Sequence, residues 1–280
     1  MVESMGRKIK INVIIPSIGQ PHFETKLRIL RSNLNRITAD GYGNAFEFFA
    51  QCFLYTPDPV FVSSLLATLQ EYIPASNVVL HVEPGYLGSF IYRYVKPDAQ
   101  RARFDFLFFI LDDIELSENF HMTTWLECYR DNDLDVLSPS VAEPGTSQLI
   151  MKIPETYKSA GSERGAVRRV NFCEFFCYLM TVEVYQTYFR LFNDETQTMW
   201  GIDLLMHALK LKMGLHNEVV MTHHYGGNGG CMTRETATLE LNKLVAAHQT
   251  ANPADEVVWS NLAKIIETEE LDIKEQFLSF

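Results

Sequence analysis

The sequence predicts an α/β protein: a mostly parallel central sheet with flanking helices and a helical C-terminal tail. Three observations carry that expectation. Over roughly the first 115 residues, short β-branched or aromatic runs alternate with amphipathic stretches, the pattern of βαβ units. One run, Phe106 to Leu111, is continuously apolar rather than alternating, as strands covered on both faces are. No run approaches the ~18 apolar residues that a membrane span needs.

Each element follows from its own residues. "IKINVII", Ile9 to Ile15, is a β-branched run stopped by Pro16. "HFETKLRILRSNLNRI" places Leu27, Leu30, Leu34 and Ile37 on one helical face. "FEFFAQCFLYT" predicts the next strand and "PVFVSSLLATLQEYI" a helix. "SNVVLHVEPG" predicts a strand with a glycine stop, and "GSFIYRYVKPDAQR" another helix. "FDFLFFILDDIEL" then predicts a buried strand, Phe106 to Leu111, running straight into Asp112 and Asp113. Beyond it, "VNFCEFFCYLMT" reads as one strongly apolar strand. "IDLLMHALKLKMG" reads as a helix closed by Gly214. "NEVVMTHH" reads as a short strand entering the glycine-rich "YGGNGG". From Met232 onward the pattern predicts two amphipathic helices broken at Asn252-Pro253. No repeat, linker or low-complexity tract interrupts the chain. Residues 1–280 are therefore expected to form one domain, with halves at 1–116 and 117–231 and a helical tail at 232–280.

Composition narrows the function classes. The chain has 280 residues, 47% of them hydrophobic and 21% charged, with a formal net charge of -11. A sequence-independent grip on nucleic acid needs surplus Lys and Arg, so nucleic acid is not an expected partner. Five scattered cysteines form no CxxC pair and fit free thiols in a reducing compartment. "MVESMGRKIK" lacks an apolar stretch after its charges, unlike a secretory signal. The expected location is the cytoplasm, with no transmembrane segment.

Four clusters carry candidate chemistry. In an open α/β sheet, ligands sit beyond the carboxyl ends of the strands, where Asp112, Asp113 and Glu115 fall. Adjacent carboxylates repel unless something positive sits beside them, and hard oxygen ligands suit Mg²⁺ or Mn²⁺. The plainer alternative is a solvated turn, with Asp112 capping a following helix. "HHYGGNGG" sets His223 and His224 before glycines whose backbone N–H groups can approach phosphate; its alternative is a surface loop. "MWGIDLL" presents Asp203 at a helix start beside Trp200 and Gly201. It is a general base there, or a cap. The helix start is expected to keep Asp203 ionised. Glu174 lies within the apolar run "NFCEFFCYL", where burial demands a partner such as Arg168 or Arg169, or a place in the site. It is the rival base.

In this order the clusters resemble the GT-A (Rossmann-like) glycosyltransferase family over roughly residues 9 to 230. The resemblance rests on "IIPSIG", on "LDDIE" at the family's DxD position, on "CEFFCYLM", on "WGID", and on a histidine before glycines. Size and organisation also resemble the small soluble glycosyltransferases of chloroviruses, including a xylosyltransferase; for a viral chain the location is the host cytoplasm. The resemblance implies a metal ion held by Asp113 and His224, with Glu115 and His223 as further ligand candidates. It implies Asp112 at the nucleotide ribose and Pro16 and Ser17 at the base and ribose. Glu83, Gly88 and Arg93 are implied on the donor side. Asp203 takes the place of the acceptor-activating base, next to Trp200 and Gly201 on the acceptor side. The implied partners are a nucleoside diphosphate sugar, UDP-linked, and a glycan acceptor; the implied cofactor is Mn²⁺ or Mg²⁺.

The acidic balance favours a neutral glycan, because a polyanionic acceptor would be repelled at long range. One placed acid, Asp203, favours inversion of the anomeric centre. Three other classes compete. A nucleotidyltransferase would want a glycine-rich loop with Lys or Arg after the first strand, whereas "PSIGQPHFE" has one glycine and no base before Lys26. A two-metal hydrolase would spread more His and Asp over several strand ends. A non-catalytic glycan-binding module could use Trp125, Trp200 and Trp259 for stacking.

Overall fold

The computed structural model describes residues 7–16, 22–39, 45–55, 58–101, 103–142, 149–153, 166–189, 202–224, 238–243, 245–246, 256–268 and 275–277. The first half follows the alternation read from the sequence. Strand β1 (Ile9–Ile15) leads to helix α1 (Phe23–Ala39), then β2 (Phe46–Leu54), α2 (Pro59–Tyr72) and β3 (Val78–Val82). A helical run at 87–100 follows, with a π-helical turn at Ile91–Val95, and returns the chain to β4 (Phe106–Ile110). Asp58 starts α2 by accepting the Val60 N–H, and Pro59 occupies the first turn, where its missing N–H costs nothing.

The second half comprises β5 (Ile114–Leu116), α5 (Met122–Asp131), β6 (Val136–Val141), β7 (Val167–Val170), β8 (Cys177–Thr181) and β9 (Met213–His223). We number the run at 87–100 as α3 (Leu87–Phe90) and α4 (Lys96–Gln100). Later helices among the described residues include Val182–Phe189, Ile202–Ala208 and Glu256–Thr268, and residues 238–243 are helical too. The tail also supplies a strand, β10 (Glu275–Phe277), to the edge of the sheet.

The strand order is β10-β7-β9-β6-β8-β4-β1-β2-β3, with β5 attached to β9. Strands β1 to β4 are mutually parallel where they pair. Beyond β4 the sheet is mixed: β8 runs antiparallel to β4 and β6, and β9 is parallel to β6 but antiparallel to β5 and β7. The mostly parallel sheet expected from the sequence is thus a property of one half. Chain order reverses between β1 and β4: the chain steps outward through β2 and β3, then crosses back to the other side of β1. Their carboxyl ends therefore splay at a switch point, where open α/β sheets form a crevice.

Burial explains why β4 reads as it does. All five of its residues are buried, between rings on both faces. Phe109 packs on Tyr178 and Tyr185, and Phe108 packs on Phe120. Each such phenylalanine contributes roughly 1.5–3 kcal/mol by leaving water. Among the described residues no helix is long and apolar enough to cross a membrane.

Two local readings are corrected. The run "VNFCEFFCYLMT" is not one strand. Its first residue ends β7, on β9 and β10, and its last five form β8, on β4 and β6. The chain has to cross two strand positions between them, so Glu174 lies in a connection rather than inside a strand. Gly214 does not close a helix; the helix stops at Ala208 and Gly214 lies within β9, opposite Leu137 and Arg169. A Cβ there would stand 2.6 Å from Leu134 Cδ1 and 3.0 Å from Val167 Cγ1. The glycine is needed for close packing. Gly214→Ala is expected to cost about 1–3 kcal/mol through overpacking. Thermal denaturation would show it as a Tm lowered by several degrees; an unchanged Tm would mean that Leu134 yields freely.

Candidate functional site

The site grows from the turn after β4. Leu111 donates its N–H to the Phe176 carbonyl at 3.0 Å, and Ile114 donates back to Leu111 at 3.3 Å. Between them lie Asp112 and Asp113. The chain then enters β5, not a helix, so Asp112 caps nothing. Strand β5 runs antiparallel to the end of β9, with Ile114 opposite His223 and Glu115 opposite Thr222. The pairing continues past the strand, where His224 donates its N–H to the Asp113 carbonyl at 2.9 Å. Acids and histidines separated by about 110 residues thereby become neighbours.

Their side chains meet in two pairs. His223 Nε2 lies 3.2 Å from Asp113 Oδ2, and His224 Nε2 lies 2.8 Å from Glu115 Oε2. The resemblance implied His224 as a ligand of the metal that Asp113 holds; the ring within 3.2 Å of Asp113 Oδ2 is that of His223, and His224 meets Glu115. Phe176 covers His223, with ring centroids 4.5 Å apart. Arg28 of α1 reaches Glu115 at 3.3 Å. Burial alone would raise the Glu115 pKa, but the hydrogen bonds from His224 and Arg28 outweigh it and hold that carboxyl below its ordinary range.

Asp112 is different. It is 8% exposed and forms an ion pair with Lys26 of α1 at 2.8 Å. Burial pushes its carboxyl up to about 7 despite the opposing lysine, with the Asp113 charge adding to the rise. The acid expected at the ribose is therefore engaged by a protein cation. Sequence reading missed this part of α1. The available signal was a polar face, Lys26 and Asn33 seven residues apart, running alongside the apolar one.

Asp203 lies in the first turn of the helix Ile202–Ala208 and accepts the Leu204 N–H at 2.9 Å. The helix is tied to the β7–β8 connection by His207 Nδ1, 2.7 Å from the Asn171 carbonyl. Both Asp203 and Glu174 raise the pKa of the Cys173 thiol, which burial pushes up to about 12. The two acids thus lie within electrostatic reach of one buried residue. Phe176 N–H closes the next turn onto the Glu174 carbonyl at 2.9 Å. The segment carrying Glu174 thus runs directly to the phenylalanine that covers His223. Helix-start N–H groups were expected to keep Asp203 ionised; burial outweighs them and raises its carboxyl to about 6.

On the other side of the switch point, Pro16 is buried at the end of β1. Glu83 follows β3 and binds Arg93 at 3.2 Å and the Tyr94 hydroxyl at 2.8 Å. Gly88 is buried in α3, where the run at 87–100 passes over the sheet. The Phe90 ring stacks on Phe53, with centroids 4.9 Å apart. Trp125, a candidate for sugar stacking, is 1% exposed and stacked on the buried His216. It belongs to the core. Ser17, Trp200, Gly201, the loop at 225–230 and the Trp259 side chain lie outside the described residues.

Among the described residues no three His, Cys, Asp or Glu side chains converge as a ready metal cage. The donor set still fits a hard divalent ion. Asp113 and His223 offer one oxygen and one nitrogen beside a strand end, with Glu115 and His224 adjacent. Mg²⁺ and Mn²⁺ sites commonly use one or two carboxylates together with substrate phosphates rather than an all-protein cage.

No protein-family model and no curated protein matches the sequence. Solved structures do match in fold. One is GalNAc-T7 with UDP, GalNAc and Mn²⁺, at 11% identity and a TM-score of 0.59 over 85% of this chain and 48% of that one. Another is Staphylococcus aureus TarS, residues 1–349, in complex with UDP, at 10% identity and a TM-score of 0.54 over 92% and 72%. The chain spans about half the length of the first. The fold is the GT-A α/β arrangement, with its curled central sheet and flanking helices.

The raised Asp203 carboxyl has a stability consequence. Folded, it keeps its proton to about pH 6; unfolded, it releases it near the ordinary value of 3.8. Across that window the unfolded state sheds a proton that the folded state retains, so stability falls as pH rises. Asp203→Asn, which mimics the protonated acid, is expected to flatten the slope of Tm against pH between about 4 and 6. An unaltered slope would assign it to other groups.

Proposed function

We propose that this protein is a metal-dependent glycosyltransferase. It moves a sugar from a UDP-linked donor to a hydroxyl of a neutral glycan acceptor, with inversion. The observation that carries the reading is the meeting of Asp113 with His223, and Glu115 with His224, at the carboxyl end of β4 beside the β1/β4 switch point. The two structural neighbours, solved with UDP and in one case with Mn²⁺, support the donor and cofactor classes. The resemblance to chlorovirus enzymes supports xylose as the sugar to test first.

In this reading Asp113 and His223 would hold Mn²⁺ or Mg²⁺, with Glu115 and His224 as further candidate ligands. The ion supplies Lewis-acid neutralisation of the charge that develops on the leaving diphosphate. The chain's own groups do the rest. Lys26 and Arg28 hold the acidic turn so that the donor meets a fixed set of oxygens. Pro16, Ser17, Glu83, Gly88 and Arg93 form the donor side; Trp200 and Gly201 form the acceptor side. The acceptor oxygen attacks the anomeric carbon as the bond to the diphosphate oxygen breaks, and the acceptor proton passes to the Asp203 carboxylate. A carboxyl raised to about 6 suits that task, being mostly ionised near neutral pH yet more basic than an ordinary aspartate. Glu174 is the rival base.

Three outcomes follow for UDP-, GDP- and CMP-sugars assayed with and without Mn²⁺. Asp113→Ala should abolish metal-dependent release of UDP while circular dichroism stays unchanged; full activity would sink the metal assignment. His223→Ala should raise the Mn²⁺ concentration needed for half activity more than His224→Ala does; the reverse order would make His224 the ligand.

Asp203→Asn should retain donor binding and lose a factor of about 10² to 10⁴ in transfer rate, the usual worth of a general base. The wild-type rate should fall on the acid side of about pH 6, as Asp203 becomes protonated. Loss in Glu174→Gln instead would move the base to Glu174. The anomeric proton of the product, read by NMR, tests inversion, and release of no nucleotide from any donor would leave a binding module.

A further inference from the structure

Strand β5 is only three residues long, and among the described residues no strand pairs with one of its edges. Its backbone groups alternate. Asp113 and Ser117 turn theirs toward β9, where the Asp113 carbonyl takes the His224 N–H and the Ser117 N–H reaches the Val220 carbonyl at 2.7 Å. Ile114 and Leu116 turn theirs the other way, toward α1. There the side chain of Asn33 does what a neighbouring strand would do. Its Nδ2 donates to the Ile114 carbonyl at 2.6 Å, and its Oδ1 accepts the Leu116 N–H at 2.9 Å. Arg36 Nη1 donates to the Leu116 carbonyl. With the Ile114 N–H already bonded to Leu111, every backbone group on the outer edge of β5 has a partner.

Asn33 is 3% exposed and sits among Leu30, Leu34 and Ile37 on the buried face of α1. A buried primary amide is costly unless its groups are bonded, so the bidentate contact is the reason an asparagine can stand there. The contact is also selective for register. The amide sets an Nδ2–H donor and the Oδ1 acceptor at fixed spacing, and these match a carbonyl and an N–H two residues apart on one strand. A one-residue slip of β5 would present the opposite edge, and would turn Glu115 away from His224.

We propose that Asn33 is a positioning residue: it fixes the register of β5 against β9 and thereby the placement of Asp113 and Glu115 beside His223 and His224. This deepens the metal-site reading and rests on it for its functional consequence. The register itself can be read without metal.

The experiment compares Asn33→Ala and Asn33→Asp with Leu69→Ala, a core-cavity variant in α2 that lowers Tm without touching the clamp. Asn33→Asp keeps the acceptor for Leu116 but loses the donor to Ile114. Two measurements are made on the full chain: hydrogen exchange at the Ser117 and His224 amides, and Mn²⁺ binding by calorimetry. In both Asn33 variants the two amides are expected to exchange at least tenfold faster than in Leu69→Ala at matched Tm. Mn²⁺ affinity is expected to fall by about tenfold, the lower end of what outer-shell partners of metal ligands contribute. Exchange and affinity no worse than in Leu69→Ala would overturn the proposal and leave Asn33 as a stability residue only. If wild type binds no Mn²⁺, the metal reading fails, and the exchange result alone upholds or rejects the register role.

Discussion

The pairing of β5 with the end of β9 is the interaction on which the candidate site depends. It is short, three residues against three, and it joins the turn after β4 to a strand about a hundred residues later in the chain. Without it Asp113 and Glu115 would end a buried strand with no histidine near them. A two-stranded contact of that length has little stability of its own, since isolated hairpins are marginal even when longer. Its support comes from outside: Asn33 and Arg36 satisfy the outer edge, and Lys26 and Arg28 neutralise two of the three acids. Helix α1 is therefore both a covering layer for the sheet and the scaffold of the acidic turn.

Electrostatics separates the acids into roles. Asp112 is buried and lysine-paired, with a carboxyl pushed up to about 7; removing one partner of such a pair leaves an uncompensated buried charge. Glu115 is drawn down by a histidine and an arginine. Asp113 stands between them with His223 as its partner. The three carboxylates are thus held by four different partners, Lys26, Arg28, His223 and His224, which relieves the repulsion that clustering them would otherwise impose.

The long-range order of the sheet has a similar logic. The parallel half is built from local strand–helix–strand steps, each of which buries apolar faces as soon as it forms. The mixed half is built from distant segments: β9 sits between β6 and β7, and β10 returns from the tail to cap β7. Close packing there leaves no room at Gly214, where Leu134 and Val167 press on the backbone.

The sequence by itself determined the parallel half and the identity of the chemical groups. Phe106–Ile110 reads as a buried strand because burial on both faces demands an unbroken apolar run, Ile9–Ile15 and Phe46–Leu54 read as strands from their β-branched and aromatic residues, and a carboxylate pair after such a run marks a strand end. Asp113, Glu115, His223 and His224 were legible as polar groups at predicted strand ends, and Asp203 at a predicted helix start. Tertiary structure alone decided which of them meet. The pairing of His223 with Asp113, and of His224 with Glu115, follows from the register of β5 on β9, and register depends on contacts that no local pattern encodes. The split of "VNFCEFFCYLMT" into β7 and β8 was hidden for the same reason: an apolar run cannot say which neighbours it will find. Gly214 was misread, and Trp125 could not be placed in the core, because the space a glycine leaves and the exposure of a side chain are set by residues far away in the chain.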